Sequence, residues 1–474
     1  MILLNSIDLL AFTDIFQLSN SHLLLTTEIA QADPSIVLAG VLLSAVTIYF
    51  AAKLGGEICA AFDFPSVLGE LIAGVIVGVS VLHFLVFPEG GIEAGDSLIM
   101  QFLQMTTDLS PENVAVTFHL QSEVISLLAE IGVIVLLFEI GLESNLKELM
   151  EVGTQALTVA IIGVIAPFAA GTAGLMIIFN IPAIPAIFAG AALTATSIGI
   201  TSRVLSEMGQ LTSKEGQIIL GAAVIDDVLG VIVLAVAASL AKTGEVDVGN
   251  VIYLIISATG FLVGAILLGN VFNRSFVKIV ELLKTRGGLI VPAITFAFVM
   301  AYLATAIHLE AILGAFAAGL VLDETDRRKE LQRLVEPVSD MLVPIFFIAV
   351  GAKTNLGVLN PINPENREGL IIAAFLITVA IIGKVLAGFT VFGQPDLDKL
   401  AIGVGMIPRG EVGLVFVAVG ASSGVLSPAL EAGIVVMVIA TTFIAPALLR
   451  VVFKSNEETV EASSEIPSVA ETTS

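Results

Sequence analysis

Long, uninterrupted apolar runs dominate this chain and leave it few ways to fold. Read against a bilayer core of ~30 Å, which a helix crosses in about 20 residues, they fall at 35–54, 65–87, 121–142, 155–180, 183–203, 216–241, 250–272, 288–306, 308–323, 338–351, 369–393, 399–421 and 427–450. The ninth and tenth are short for a crossing. Inside hydrocarbon every backbone N–H and C=O must be paired within the protein, and runs that do not alternate polar with apolar residues achieve this as helices rather than as a barrel. Only 13% of the residues are charged and 57% are apolar, against roughly 25% charged in a soluble domain. An all-α polytopic membrane protein with 13 transmembrane helices is expected.

The distribution of basic residues checks the count, because Lys and Arg collect on cytoplasmic loops. With loops assigned alternately, Lys53, Lys147, Arg203, Lys214, Arg274, Lys278, Lys284, Arg286, Arg327, Arg328, Lys329, Arg333, Lys399, Arg450 and Lys454 share one face, while only Lys242, Lys353 and Arg367 take the other. One misplaced span in the middle would erase this asymmetry, so the N-terminus is expected outside or lumenal and the C-terminus cytoplasmic. The expected organisation is an extracytoplasmic segment over 1–34, a transmembrane domain over 35–450 and a disordered acidic cytoplasmic tail over 451–474. The first basic residue is Lys53, which does not fit the positive start of a secretory signal.

The net charge of −23 sits mostly in loops and tails, and no nucleic-acid partner is expected. The acidic loop over 88–120 reads as solvated. Cys59 is the single cysteine and the four histidines show no ligand spacing, so no disulfide framework, resident metal or cofactor is expected.

Two sequence repeats set the architecture. VLGELIAGVIVG from Val67 in span 2 matches ILGAFAAGLVLD from Ile312 in span 9, and GLESNLKEL from Gly141 after span 3 matches GAKTNLGVL from Gly351 after span 10. Both pairs lie seven spans apart, and an odd separation reverses orientation, which makes spans 1–6 and 8–13 inverted-topology repeats with span 7 as connector. Transporters built this way place their site at the midplane, where corresponding helices of the two halves are interrupted. Span 5 crowds Thr194, Thr196, Ser197, Gly199 and Thr201 into its middle, and its mate, span 12, sets Pro408, Gly410 and Gly413 around Arg409 and Glu411. Both compositions let a helix unwind where the freed backbone lines a cavity.

Chemistry concentrates in the run GAAVIDDVLGVIVLA of span 6. Asp226 lies roughly 15 Å into that span and Lys384 about 14 Å into span 11, so acid and base sit at matching depth. A buried ion pair that only fixes helix packing is one reading, but one lysine balances one aspartate, and neighbours on a helix point about 100° apart. Asp226 and Asp227 therefore take different partners. Desolvation penalises the charged form of acid and base alike, so protons can leave and rejoin these groups at working pH. A carboxylate among hydroxyls and unwound carbonyls is also a hard-oxygen site, suited to Na⁺ or Li⁺. A proton and a metal cation compete for one carboxylate, which couples their opposite movements.

Other charges are secondary. Glu70 and Glu139 divide evenly between a structural hydrogen bond and an access pathway, and Arg409 with Glu411 is read first as mutual neutralisation. His308 is read as interfacial. An intramembrane aspartyl protease needs two aspartates that meet across two helices, which adjacent residues on one helix cannot do. An organic-anion symporter on the same architecture wants unpaired basic groups rather than surplus carboxylate.

The chain resembles the monovalent cation:proton antiporter-2 family of the cation/proton antiporter superfamily, and within it the cyanobacterial sodium/proton antiporters. The matching segments are PSVLGELIAG at 65, LFEIGLE at 137, LTATSIGITSRVL at 193, IDD at 225, FFIAVGAKTNL at 346, Lys384 and PRGEVG at 408. The resemblance implies the sodium/proton antiporter fold with two crossing broken helices, and a homodimer. It implies a dimerisation scaffold from spans 1–3 and 8–10 and an ion-translocating core from spans 4–6 and 11–13. It implies that Asp227 binds the Na⁺, that Asp226 pairs with Lys384, and that Thr196 and Ser197 line the site, with Thr194, Arg409, Glu411, Glu70 and Glu139 in supporting places. Electrogenic exchange in a plasma or thylakoid membrane is implied as well. A potassium/proton antiporter of the same family is the alternative. About 24 residues follow the last span and none reads GxGxxG, so a nucleotide-binding regulatory domain is not expected.

Overall fold

The computed structural model describes residues 33–88, 92–243, 245–323, 325–360, 364–393 and 397–464. All regular structure in them is helical. In chain order the helices are α1 (Pro34–Ala61), α2 (Ser66–Val77), α3 (Leu98–Thr106), α4 (Val114–Glu143), α5 (Leu146–Glu151), α6 (Gly153–Ile178), α7 (Ala183–Ala192), α8 (Ile198–Glu207) and α9 (Lys214–Thr243). They continue as α10 (Val248–Leu282), α11 (Ile290–Ala306), α12 (Ala311–Asp323), α13 (Arg328–Ala352), α14 (Pro364–Gly388), α15 (Lys399–Gly405), α16 (Glu411–Ser422) and α17 (Pro428–Ser464). Each of the thirteen expected spans is helical, and spans 5 and 12 are each split in two, as α7/α8 and α15/α16. Among the described residues, eight helices are long and apolar enough to cross a membrane by length and composition.

The two halves pack through the same contacts in opposite order. In α2, Gly69 meets the Gly55 carbonyl of α1; in α12, Gly314 meets the Met300 carbonyl of α11. A Cβ on Gly74 would lie 2.5 Å from the Ile348 oxygen of α13, and one on Gly319 would lie 2.4 Å from the Phe138 oxygen of α4. Both are distances no side chain tolerates, so α2 against α13 and α12 against α4 touch backbone to backbone. The symmetry extends to the loops. Asp63 and His308, each five residues before the repeat's leucine, both have left-handed backbone (φ 62° and 64°), and Asn145 and Asn355 each cap the turn that follows with their side chains. Helices α1, α2, α4, α11, α12 and α13 pack on one another, as do α6–α9 with α14–α17.

Three expectations are corrected. Span 2 stays helical only to Val77, because Gly78 sits against the Ala352 backbone and the chain folds back there, burying Leu85, Val86 and Phe87 without helix. The 88–120 loop holds α3, whose Ile99, Met100 and Leu103 pack on Leu109, Val114 and Phe118, so apolar spacing overrides the surrounding acids. The segment over 451–464 continues α17 as helix, where an unstructured tail was expected; extending an existing helix avoids the cost of nucleation. Residues 1–32 and 465–474 lie outside the described residues.

Candidate functional site

The breaks in the two split helices meet. Helix α7 ends at Ala192 and α15 at Gly405, and the chain resumes helix at Ile198 and Glu411. The strandlike links cross where the Ser197 N–H donates to the Pro408 carbonyl at 2.9 Å. Thr196 Oγ1 donates to the Met406 oxygen at 3.2 Å and Thr201 Oγ1 to the Gly405 oxygen at 3.0 Å, so hydroxyls of one broken helix satisfy the carbonyls freed in the other. Gly410 completes the crossing, since a Cβ there would lie 2.6 Å from Ser197 Oγ.

Arg409 neutralises this junction. Its guanidinium is fully buried and donates to the Leu193 oxygen at 2.5 Å, and to Met406 O and Thr196 Oγ1 at 3.4 Å each. Leu193 and Met406 are the C-caps of α7 and α15, where the helix dipole leaves partial negative charge. One cation thus serves two negative helix ends, and Thr442 Oγ1 donates in turn to the Arg409 carbonyl. The expected pairing partner, Glu411, opens α16, but its side chain lies outside the described residues. Thr194 is buried and donates back to Ala191 O at 2.8 Å within its own half-helix.

Helices α9 and α14 bring the titratable groups to the crossing. Lys384 Nζ lies 3.1 Å from both Oδ1 and Oδ2 of Asp226, and both side chains have zero exposure. A fully desolvated pair is held only if the attraction and its hydrogen bonds repay desolvation, and the bidentate geometry meets that requirement. Asp227 is 4% exposed and lies within electrostatic reach of Lys384, as Arg409 lies within reach of Asp226. Ser197 Oγ is buried and has no hydrogen-bond partner among the described residues. Chemically, the cluster offers carboxylate and hydroxyl oxygens to a small cation beside an acid–base pair that can pass a proton.

Glu70 and Glu139 do not join this cluster. They lie one helical turn inside the face that carries the basic loops, each within electrostatic reach of Arg203. Sequence reading singled out Thr201 in the interrupted span but missed Thr442, which carries no local signal.

The family model described as "Sodium/hydrogen exchanger, transmembrane" matches residues 25–455. The high-affinity Na⁺/H⁺ antiporter NhaS3 of Synechocystis is 61% identical over 441 residues, covering 93% of this chain and 95% of that protein. The Na⁺/H⁺-K⁺ antiporter GerN of Bacillus cereus is 31% identical over 421 residues, covering 88% and 97%. The structure of the sodium proton antiporter MjNhaP1 from Methanocaldococcus jannaschii at pH 8 superposes with a TM-score of 0.58 at 15% identity, over 87% of this chain and 97% of that one. This chain is an integral, multi-pass membrane protein that belongs to the sodium/hydrogen exchanger family.

Proposed function

We propose that this chain is a secondary sodium/proton antiporter in which Na⁺ and protons alternate at Asp227, with Asp226 and Lys384 adding a coupled proton step. The observation that carries this reading is a second buried carboxylate beside a fully paired Asp226–Lys384, at a crossing where the Ser197 hydroxyl has no hydrogen-bond partner among the described residues. Asp227, Ser197 and the backbone of the broken helices supply the oxygens a small hard cation requires. Thr196 holds the crossing together, and Arg409 cancels the helix ends that would otherwise compete for the cation. When the cation draws Asp226 from Lys384, the lysine releases its proton, and the pair re-forms as the cation leaves. That cycle moves more protons than cations and is electrogenic.

Li⁺ shares the chemistry of the site, and the name of the GerN relative keeps K⁺ in view. The helices α1, α2, α4 and α11–α13 serve as the scaffold, and α6–α9 with α14–α17 as the core that carries the ion past it. A homodimer belongs to the same reading: exposed apolar side chains such as Phe50 on α1 and Tyr302 on α11 supply surface for a second copy as well as for lipid. The basic loops set the orientation, C-terminus to the cytoplasm, and exchange of this kind serves pH and sodium homeostasis.

Proteoliposomes holding an imposed pH gradient test the reading. Addition of Na⁺ or Li⁺ dissipates the gradient with the wild type, and Asp227→Asn abolishes the response while the protein remains folded. A silent wild type overturns antiport, and a full response from Asp227→Asn overturns the assignment of the site. Testing K⁺ alongside ranks the cations, and the sign of the lumenal pH change separates exchange from anion symport.

A further inference from the structure

On the face that carries the basic loops, α2 begins without a cap of its own. Its N-cap residue is Pro65, which has no side-chain acceptor, and the first N–H groups of a helix find no partner within it. A carboxylate from another helix takes that place. Glu207, at the end of α8, accepts from the Ser66 N–H at 2.7 Å and from the Ser66 hydroxyl at 2.5 Å, where a helix N-terminus favours negative charge. Glu207 has a second tie within α8, an ion pair with Arg203 one turn earlier at 3.0 Å. Two more contacts join the same groups of helices on this face. Ser206 Oγ donates to Glu143 at the end of α4 at 3.0 Å, and Arg450 of α17 donates to the Asp63 carboxylate at 2.7 Å and to its carbonyl at 3.1 Å, in the link between α1 and α2. In all three, one partner comes from the helices read above as the core and the other from those read as the scaffold.

The internal repeat shows that the fold itself does not demand this arrangement. The register that pairs Leu68 with Leu313 pairs Ser66 with Ala311 and sets Glu310 where Pro65 stands. The broken helices share a register of their own, since α7 ends at Ala192 and α15 at Gly405, and α8 starts at Ile198 and α16 at Glu411. That register pairs Arg203 with Phe416, Ser206 with Val419 and Glu207 with Gly420. The opposite half therefore has no side chain at the capping position and no basic group one turn before it. A cavity of about 680 Å³ lies on the capped face between α8 and the helices α4 and α13, lined by Glu139, Glu143, Arg203, Glu207, Arg328 and Arg333 among others. Glu207 thus borders the opening and holds α2 at once.

We propose that Glu207 is a detachable cap, a carboxylate of the moving core that docks on the scaffold helix α2 in the conformation whose boundary opens to the cytoplasmic face. It leaves α2 each time the core moves to present Asp227 to the other side. Arg203 rides on the same helix, so undocking strands no charge, and the freed Ser66 N–H turns to water. The contacts of Ser206 and Arg450 release in the same step. This inference rests on the antiport reading and on the division into scaffold and core given with it, and it adds a docking step that the outer face lacks.

A cross-link tests it in vesicles holding the full-length protein, with Na⁺-dependent proton flux as the readout. Wild-type flux establishes antiport independently of the cap. The pair Ser66→Cys/Glu207→Cys is placed in a Cys59→Ser background, because Cys59 is a free thiol. The reduced pair is expected to transport; joining its two thiols with a short cleavable bifunctional reagent is expected to lower flux at least tenfold, and reductant to restore it. Joining Tyr49→Cys to Met341→Cys, whose native contact of 2.8 Å lies within the scaffold, is expected to leave flux intact. Flux that survives the link between 66 and 207 overturns the proposal, since the contact would then be permanent. If that link does not form, Glu207→Ala decides. Apparent affinity falls with the fraction of protein that presents the site, and losing a cap shifts an equilibrium about fivefold. The Na⁺ KM is therefore expected to rise at the cytoplasmic face, read in inside-out vesicles, relative to the outer face, read in right-side-out ones. An unchanged ratio of the two, or a shift the other way, overturns the proposal.

Discussion

Replacing Lys384 by glutamine isolates the energetics of the buried charge pair. In the wild type both carboxylate oxygens of Asp226 receive the ammonium at 3.1 Å with neither side chain exposed. Removing one partner of such a pair typically costs about 3–5 kcal/mol, because the remaining charge is left desolvated. Arg409 remains within electrostatic reach of Asp226, which places the expected loss near the low end, ~3 kcal/mol. The double variant Asp226→Asn/Lys384→Gln removes both charges together, and two neutral amides of similar volume are expected to hold the helices within about 1 kcal/mol of wild type. A coupling energy of ~2 kcal/mol or more should therefore appear in a double-mutant cycle, measured by unfolding of the purified protein in detergent with the two single variants, the double variant and the wild type side by side. If the double variant is as unstable as the sum of the singles, the two groups act independently and the pair is not the unit argued for. Transport read on the same proteins adds a second criterion: the double variant is expected to lose the voltage dependence of exchange, since the proton carried by Lys384 is gone.

Two further substitutions probe the crossing. Gly410→Ala places a methyl group 2.6 Å from Ser197 Oγ, so the broken helices must separate; overpacking of this kind costs about 1–3 kcal/mol, and the Na⁺ KM should rise with it, whereas an unchanged KM and melting temperature would show that the crossing is loose. Arg409→Gln leaves the Leu193 carbonyl, now bonded at 2.5 Å, without its charged donor, which costs about 1–3 kcal/mol for a buried acceptor; a variant as stable as wild type would show that the helix ends are neutralised elsewhere.

Much of this organisation was legible in the residues themselves. Apolar length located every span, and Leu68–Gly69 with its echo at Leu313–Gly314 gave the inverted repeat before any packing was known. Asp226 and Lys384 were matched by depth alone, and they meet. What the sequence did not disclose depends on tertiary neighbours. Nothing local ends a helix at Val77 in an unbroken apolar run; the close Ala352 backbone does. Arg409 was matched with Glu411 because they are close in the chain, but its acceptors include the carbonyl of Leu193, exposed only because another helix is interrupted.

The seams at Gly74 with Gly351 and at Gly319 with Gly141 bear on how the molecule can move at all. Where main chain rests directly on main chain there are no rotamers to reshuffle and no side-chain slack to absorb a slide, so each seam behaves as a weld. Inversion places one weld toward each side of the bilayer, which clamps α2, α4, α12 and α13 against both tilting and shearing. The contacts that α8 makes with α2 and α4 are of another kind, hydrogen bonds through side chains, with Glu207 accepting from the N–H and hydroxyl of Ser66 and Ser206 donating to Glu143. The same logic makes the four glycines a two-fold liability: a single methyl group at any one of them unbalances both ends of the frame.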